Sequence, residues 1–133
     1  MDLVGAWQLI EWRIVHADGR VSHPFGTDAV GLLCYTLDGH MSATISRAGR
    51  APLPADTPRH APAEAQAEAF GSFFSYAGRY ELREDHVAHD VEIALNPAFV
   101  GTTQIRELNF DDDRLVLAAV EKGRWHTLIW VRP

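Results

Sequence analysis

The chain has 133 residues, 47% of them hydrophobic and 23% charged, with a formal net charge of −6. This length suits a single domain over 1–133 with a real core and is too short for two. The scattered acidic residues argue against a nucleic-acid surface or an anionic-membrane surface, since each needs a basic patch. The one cysteine, Cys34, excludes an intrachain disulfide and reads as a small buried hydrophobe.

No basic-then-apolar leader pattern opens the chain, and no run approaches about 18 apolar residues, so the expectation is a cytoplasmic protein with no signal peptide or membrane helix. Residues 6–16 read as a first strand, closed by Ala17-Asp18-Gly19-Arg20. Residues 21–28 look irregular, with Pro24 and Gly26. A second strand over 29–37 and a third over 40–47 flank Asp38-Gly39, a pair that favours a type I′ hairpin turn. In the first strand Trp7 and Leu9 alternate out of phase with Trp12 and Ile14, and a bulge is required if both tryptophans face inward.

Residues 48–61 hold Gly49, Pro52, Pro54 and Pro58 and form a long loop, a candidate lid. Pro62 then opens an Ala/Glu-rich run to about Ser75 that predicts a helix. Phe70, Phe73, Phe74 and Ala77 share one face of that helix, which packs on the sheet or docks a partner. Further strands are expected over 76–83, 86–95, 102–110, 114–120 and 125–132, with turns at Glu84-Asp85, Asp112-Asp113 and Lys122-Gly123. The fold class is therefore all-β: an eight-stranded up-and-down antiparallel barrel with one helix inserted between strands three and four. A barrel of about eight strands has an interior wide enough for one small ligand.

Gly5-Ala6-Trp7 at the start of the first strand, Arg132 near the end of the last, and the stretches Gly39–Ala43 and Tyr76–Glu81 resemble the calycins, and within them the bacterial and fungal lipocalin-like domain family. The resemblance covers nearly the whole chain. It implies a barrel with a ligand-sized interior and an arginine lying over the first tryptophan. Secreted lipocalins carry a signal peptide, disulfides and a helix after the barrel; the expectation here is neither of the first two, with the helix placed within the strand series. No particular ligand carries over.

Two-residue turns fix cross-strand partners. Tyr80 is expected opposite His89, Gly78 opposite Val91 with open space beside it, Leu117 opposite Leu108 and Leu128, and Leu115 opposite Trp130. Alternation puts Val87, His89, Val91, Ile93 and Leu95 on one face, and Gln104, Arg106, Leu108 and Phe110 on the face shared with His126, Leu128 and Trp130. The predicted ligand-binding set is Tyr80, His89, Val91, Gln104, Arg106, Leu108, Leu117 and Trp130, with Trp12 and Ile93 completing the wall. Tyr35 lies in a strand that is apolar on both faces, so its direction is undecided.

Two readings of His89 stand side by side: a core histidine satisfied by Tyr80, or a ligand contact. Arg106 either caps the barrel mouth, sits outside, or meets a ligand carboxylate, phenolate or enolate. The seven histidines are dispersed without zinc spacing, and neither a metal nor another cofactor is called for.

The leading function is binding of a small, largely hydrophobic molecule. The resemblance also allows a cofactor-free cyclase, isomerase or dehydratase, with His89 as general acid or base, Tyr80 orienting it and Arg106 stabilising negative charge. A third class is an interaction module acting through an exposed Phe73/Phe74 helix face. Expected partners are a small hydrophobic ligand, no nucleic acid and no membrane; a homodimer stays open.

Overall fold

The computed structural model describes residues 2–133. The main strands are β1 (Gly5–Val15), β3 (Val30–Tyr35), β4 (His40–Ser46), β5 (Phe73–Leu82), β6 (His86–Ala94), β7 (Thr103–Asp111), β8 (Arg114–Glu121) and β9 (Arg124–Val131). A two-residue strand, β2 (Val21–Ser22), pairs with the end of β1 in the stretch read as irregular. From β3 to β9 each strand is antiparallel to the next, and β1 pairs with both β3 and β9, closing an eight-stranded barrel. Counting β2, the single helix α1 (Ala63–Gly71) follows the fourth strand, not the third. Among the described residues no helix is long and apolar enough to cross a membrane.

The predicted register holds at each two-residue turn. Tyr80 pairs with His89, Leu108 with Leu117, Leu117 with Leu128 and Leu115 with Trp130. Lys122 and Gly123 both have positive φ, 51° and 75°, as a type I′ turn requires. Asp38-Gly39 differs. Only Gly39 is left-handed, and Leu37-Asp38-Gly39 forms a longer loop closed by Thr36 N–H donating to the His40 carbonyl at 2.8 Å. The Thr36 hydroxyl also accepts from the His40 N–H at 3.0 Å, which favours that longer loop.

Two bulges decide which residues face inward. In β1 the pairing with β9 slips at Ile10, so Trp7 and Leu9, then Trp12 and Ile14, all turn to the interior. In β6 the slip falls at Glu92, since Gly78 pairs with Val91 and Ala77 with Ile93. Ile93 is thereby turned outward, 67% exposed, and leaves the predicted wall. Gly78 has no open space either. A Cβ added there would lie 1.9 Å from the Asp90 carbonyl oxygen, so the backbones of β5 and β6 touch.

The helix is shorter than expected. It ends at Gly71, where the Ser72 N–H bonds back to the Glu68 carbonyl at 3.1 Å. Phe73 and Phe74 instead begin β5, paired with Ser46 and Ile45 of β4. Pairing with β4 engages this backbone and Phe74 joins the cavity wall, which outweighs the helical propensity of the preceding alanines. The aromatic helix face therefore does not exist: Phe70 remains on α1, 52% exposed, and Phe73 lies under the Arg50 guanidinium.

One end of the barrel is plugged by Trp7, which is fully buried, with its indole N–H donating to the Leu3 carbonyl at 2.9 Å. The Arg132 guanidinium lies over the Trp7 ring, 3.7 Å from its centroid. It donates to the carbonyls of Asp2, Val4 and Ala6 at 2.6, 3.0 and 3.1 Å. Gly5, at φ +117°, lets the guanidinium this close, since a Cβ would meet Arg132 Nη1 at 2.8 Å. Arg132→Ala is expected to cost about 1–2 kcal/mol, because the arginine is exposed but forms a cation–π contact and charge-assisted hydrogen bonds. Arg132→Lys should recover less than half of this, lacking the planar fork. Urea unfolding of the three proteins measures both; full recovery by lysine would contradict the fork's role.

Candidate functional site

The other end of the barrel opens into a cavity of about 600 Å³. Its apolar wall includes Trp12, Leu33, Ile45, Phe74, Phe99 and Leu117, with Trp130 behind. Phe99 belongs to a single 3-10 turn, Pro97–Phe99, started by Asn96, whose side chain accepts from the Ala98 N–H at 3.0 Å. This turn lies between β6 and β7 and sets the Phe99 ring edge-on to Phe74, with centroids 5.8 Å apart. The loop over 48–61 lines no part of this cavity. Its Arg50 instead bonds the Ser72 hydroxyl and the Ala69 carbonyl at 3.0 and 2.9 Å, beside α1.

A chain of three aromatic side chains crosses the polar side of the interior. His89 is 2% exposed. Its Nε2 lies 2.7 Å from the Tyr35 hydroxyl and its Nδ1 2.6 Å from the Tyr76 hydroxyl. Burial, aided by the nearby Arg106 charge, holds the His89 pKa down to about 3, so the ring is neutral at physiological pH. Burial also drives the Tyr35 phenol well above its ordinary pKa of 10.0 and raises that of Tyr76, with Arg106 opposing both shifts. Both tyrosines therefore stay protonated.

Arg106 lines the same cavity, half-buried, from the inward face of β7. Its guanidinium donates to the Ile105 carbonyl at 3.0 Å and to Gln104 Oε1 at 3.4 Å, both close neighbours on its own strand. Among the described residues no ion pair involves it. Gln104 in turn donates to Thr102 Oγ1 at 2.8 Å. Across the cavity Trp12 Nε1 donates to His126 Nδ1 at 3.3 Å, so the neutral His126 carries its proton on Nε2, 3.7 Å from Glu121. Burial lowers the His126 pKa, with Glu121 opposing. No three His, Cys, Asp or Glu side chains among the described residues are grouped to hold a metal ion.

Of the residues predicted to contact a ligand, His89, Gln104, Arg106, Leu117 and Trp130 line this cavity. Val91 and Leu108 pack in the surrounding core and do not line it. Tyr80 stands opposite His89 in the ladder, but its hydroxyl turns away to the Thr36 carbonyl at 2.7 Å. The tyrosines on His89 are Tyr35 and Tyr76. Tyr76 was legible: it opens the strand expected over 76–83 and alternates with Gly78 and Tyr80 on one face, but pairing set Tyr80, not Tyr76, opposite His89. Tyr35 was not, because its strand has no polar face. Phe99 sits in a break after Asn96-Pro97, where alternation says nothing.

Residues 4–132 match the lipocalin-like domain family. The chain matches no curated protein. Among solved structures it is similar to a lipocalin-like protein from Bacteroides uniformis ATCC 8492, at 17% identity and a TM-score of 0.48, over 96% of this chain and 97% of that one. With nearly every described residue inside the family match, the chain belongs to the lipocalin-like domain family.

Proposed function

We propose that the barrel binds a small, largely hydrophobic organic molecule in its interior. The observation that carries this reading is the open cavity of about 600 Å³, walled by aromatic and aliphatic side chains with a few polar groups on one side. Ligand pockets usually span roughly 300–1,000 Å³ and are built this way. Tyr76, Gln104 and Arg106 orient the polar part of the ligand, His89 holds the Tyr76 hydroxyl in place, and Trp12, Phe74 and Phe99 hold the ligand's body.

The catalytic alternative asks His89 to take a proton. A ring whose pKa is held to about 3 is a feeble base at neutral pH, and both its nitrogens are occupied by tyrosines, so binding is the better-supported reading. The neutral fluorophore N-phenyl-1-naphthylamine tests it. Wild-type protein is expected to bind the dye with enhanced emission and saturation at one equivalent. Ala119→Trp, which places an indole in the cavity wall, is expected to weaken binding at least about tenfold. Absent binding, or binding indifferent to this substitution, would sink the proposal.

A further inference from the structure

The hydrogen-bond chain through His89 leaves one proton over. A neutral imidazole has one N–H and one lone pair, so one tyrosine must donate to it and the other must accept from it. The accepting tyrosine then keeps its own O–H proton and needs a second partner. Two arrangements satisfy the two observed contacts. In one, Tyr76 donates to Nδ1 and the free proton falls on Tyr35. In the other, Tyr35 donates to Nε2, Nδ1–H donates to Tyr76, and the free proton falls on Tyr76.

The surroundings choose between them. Tyr35 is 2% exposed, lies outside the cavity wall, and its hydroxyl has no partner other than His89 among the described residues. A free proton there is a buried donor without an acceptor, which costs about 1–3 kcal/mol. Tyr76 lines the cavity, where an incoming acceptor can meet its hydroxyl. The second arrangement is favoured, and Tyr76 presents an O–H donor to the cavity.

Arg106 acts on the same region. Its positive charge bears on Tyr35, Tyr76, His89 and His126, yet no carboxylate balances it. A guanidinium half-removed from water without a counter-charge is itself poorly solvated and favours an anion. Its hydrogen-bond acceptors, the Ile105 carbonyl and Gln104 Oε1, are neutral, and the acidic wall residues Glu107 and Glu121 are both exposed and form no ion pair with it.

Resting on the binding function proposed above, we infer that the natural ligand is a ring-bearing organic anion whose ionised oxygen, a carboxylate or enolate, takes the Tyr76 hydroxyl and the Arg106 guanidinium together. The aromatic wall of Trp12, Phe74 and Phe99 receives the ring. Selection is by charge: a matched alcohol retains the ring contacts and forfeits the guanidinium, and a matched amine is repelled.

Isothermal titration calorimetry with 2-naphthoate, 2-naphthylmethanol and 2-naphthylmethylamine tests this on the intact protein. Naphthoate is expected to bind at least tenfold more tightly than the alcohol, and the amine more weakly than either. Arg106→Gln should cut the naphthoate-to-alcohol affinity ratio at least tenfold, and Tyr76→Phe about threefold to tenfold by removing the donor. Thermal melts of both variants establish that they are folded. Equal affinity for naphthoate and alcohol, or a ratio untouched by Arg106→Gln, overturns anion selection while leaving a cavity that binds apolar rings. Failure of all three probes overturns the binding function and this inference with it.

Discussion

Acidification from about pH 7 to about pH 4 is expected to remove about 3 kcal/mol of folding stability through His89 alone. In the folded barrel its pKa is held to about 3 by burial first and by the Arg106 charge second, against 6.5 for a free imidazole. Between these values the unfolded chain binds a proton that the folded one refuses. Stability is therefore full above the unfolded value, declines as pH falls below it, and goes on declining toward the folded value. His126, whose pKa is also lowered by burial, adds a loss of the same sign. His89→Gln keeps an amide donor and acceptor between Tyr35 and Tyr76 but does not titrate. It should be less stable than wild type at neutral pH yet lose about 3 kcal/mol less on acidification. Urea unfolding of both proteins at the two pH values measures this. The same pH-dependent loss in both proteins would remove His89 as the cause.

Gly78→Ala is expected to be the most damaging small substitution in the chain. The three nearest atoms to a Cβ there are all backbone: Asp90 O at 1.9 Å, Glu92 N at 2.9 Å and Asp90 C at 3.0 Å. No rotamer change can relieve a clash with main chain, so β5 and β6 must separate where Glu92 already interrupts the ladder. A loss above about 3 kcal/mol follows, or a fall in melting temperature of roughly 10 °C or more for a domain of this size. The control is Gly71→Ala at the end of α1, where a Cβ meets nothing within 4 Å. It should be neutral or slightly stabilising. Circular-dichroism melts compare the two. A Gly78→Ala barrel melting within a few degrees of wild type would mean that the strands part at little cost.

The legible part of this fold is where local chemistry acts alone. Lys122-Gly123 can hardly avoid a two-residue turn, and once it forms, Leu117 must meet Leu128 and Leu115 must meet Trp130. The same logic placed Tyr80 opposite His89. What could not be read depended on contacts between distant segments. The Glu92 bulge falls where β5 and β6 approach at Gly78, and it turned Ile93 from wall to surface. Phe73 and Phe74 carry no local mark separating the end of a helix from the start of a strand; pairing with Ser46 and Ile45 decides it. The candidate site follows the same division. His89, Gln104 and Arg106 were found by alternation along single strands. Which hydroxyls reach His89 depends on how β3 and β5 curve around it, and pairing partners alone misled: the residue opposite His89 is not the one bonded to it.

The Arg132 clasp over Trp7 has a consequence for how the chain is made. Its guanidinium reaches the Asp2 carbonyl across 130 positions of sequence. On a ribosome, β1 emerges before every other strand of the barrel and can pair early with β3, yet one of its edges must wait for β9 and the face of Trp7 for Arg132. Until synthesis reaches Arg132, the growing sheet is an open ribbon with a raw edge at each side and its interior in water. Closure by such distant pairing is slow, and an unpaired edge invites other strands. The interval between first strand and last is therefore when this barrel is most open to wrong pairing, and a chain broken off before Arg132 would leave a barrel that cannot be fastened.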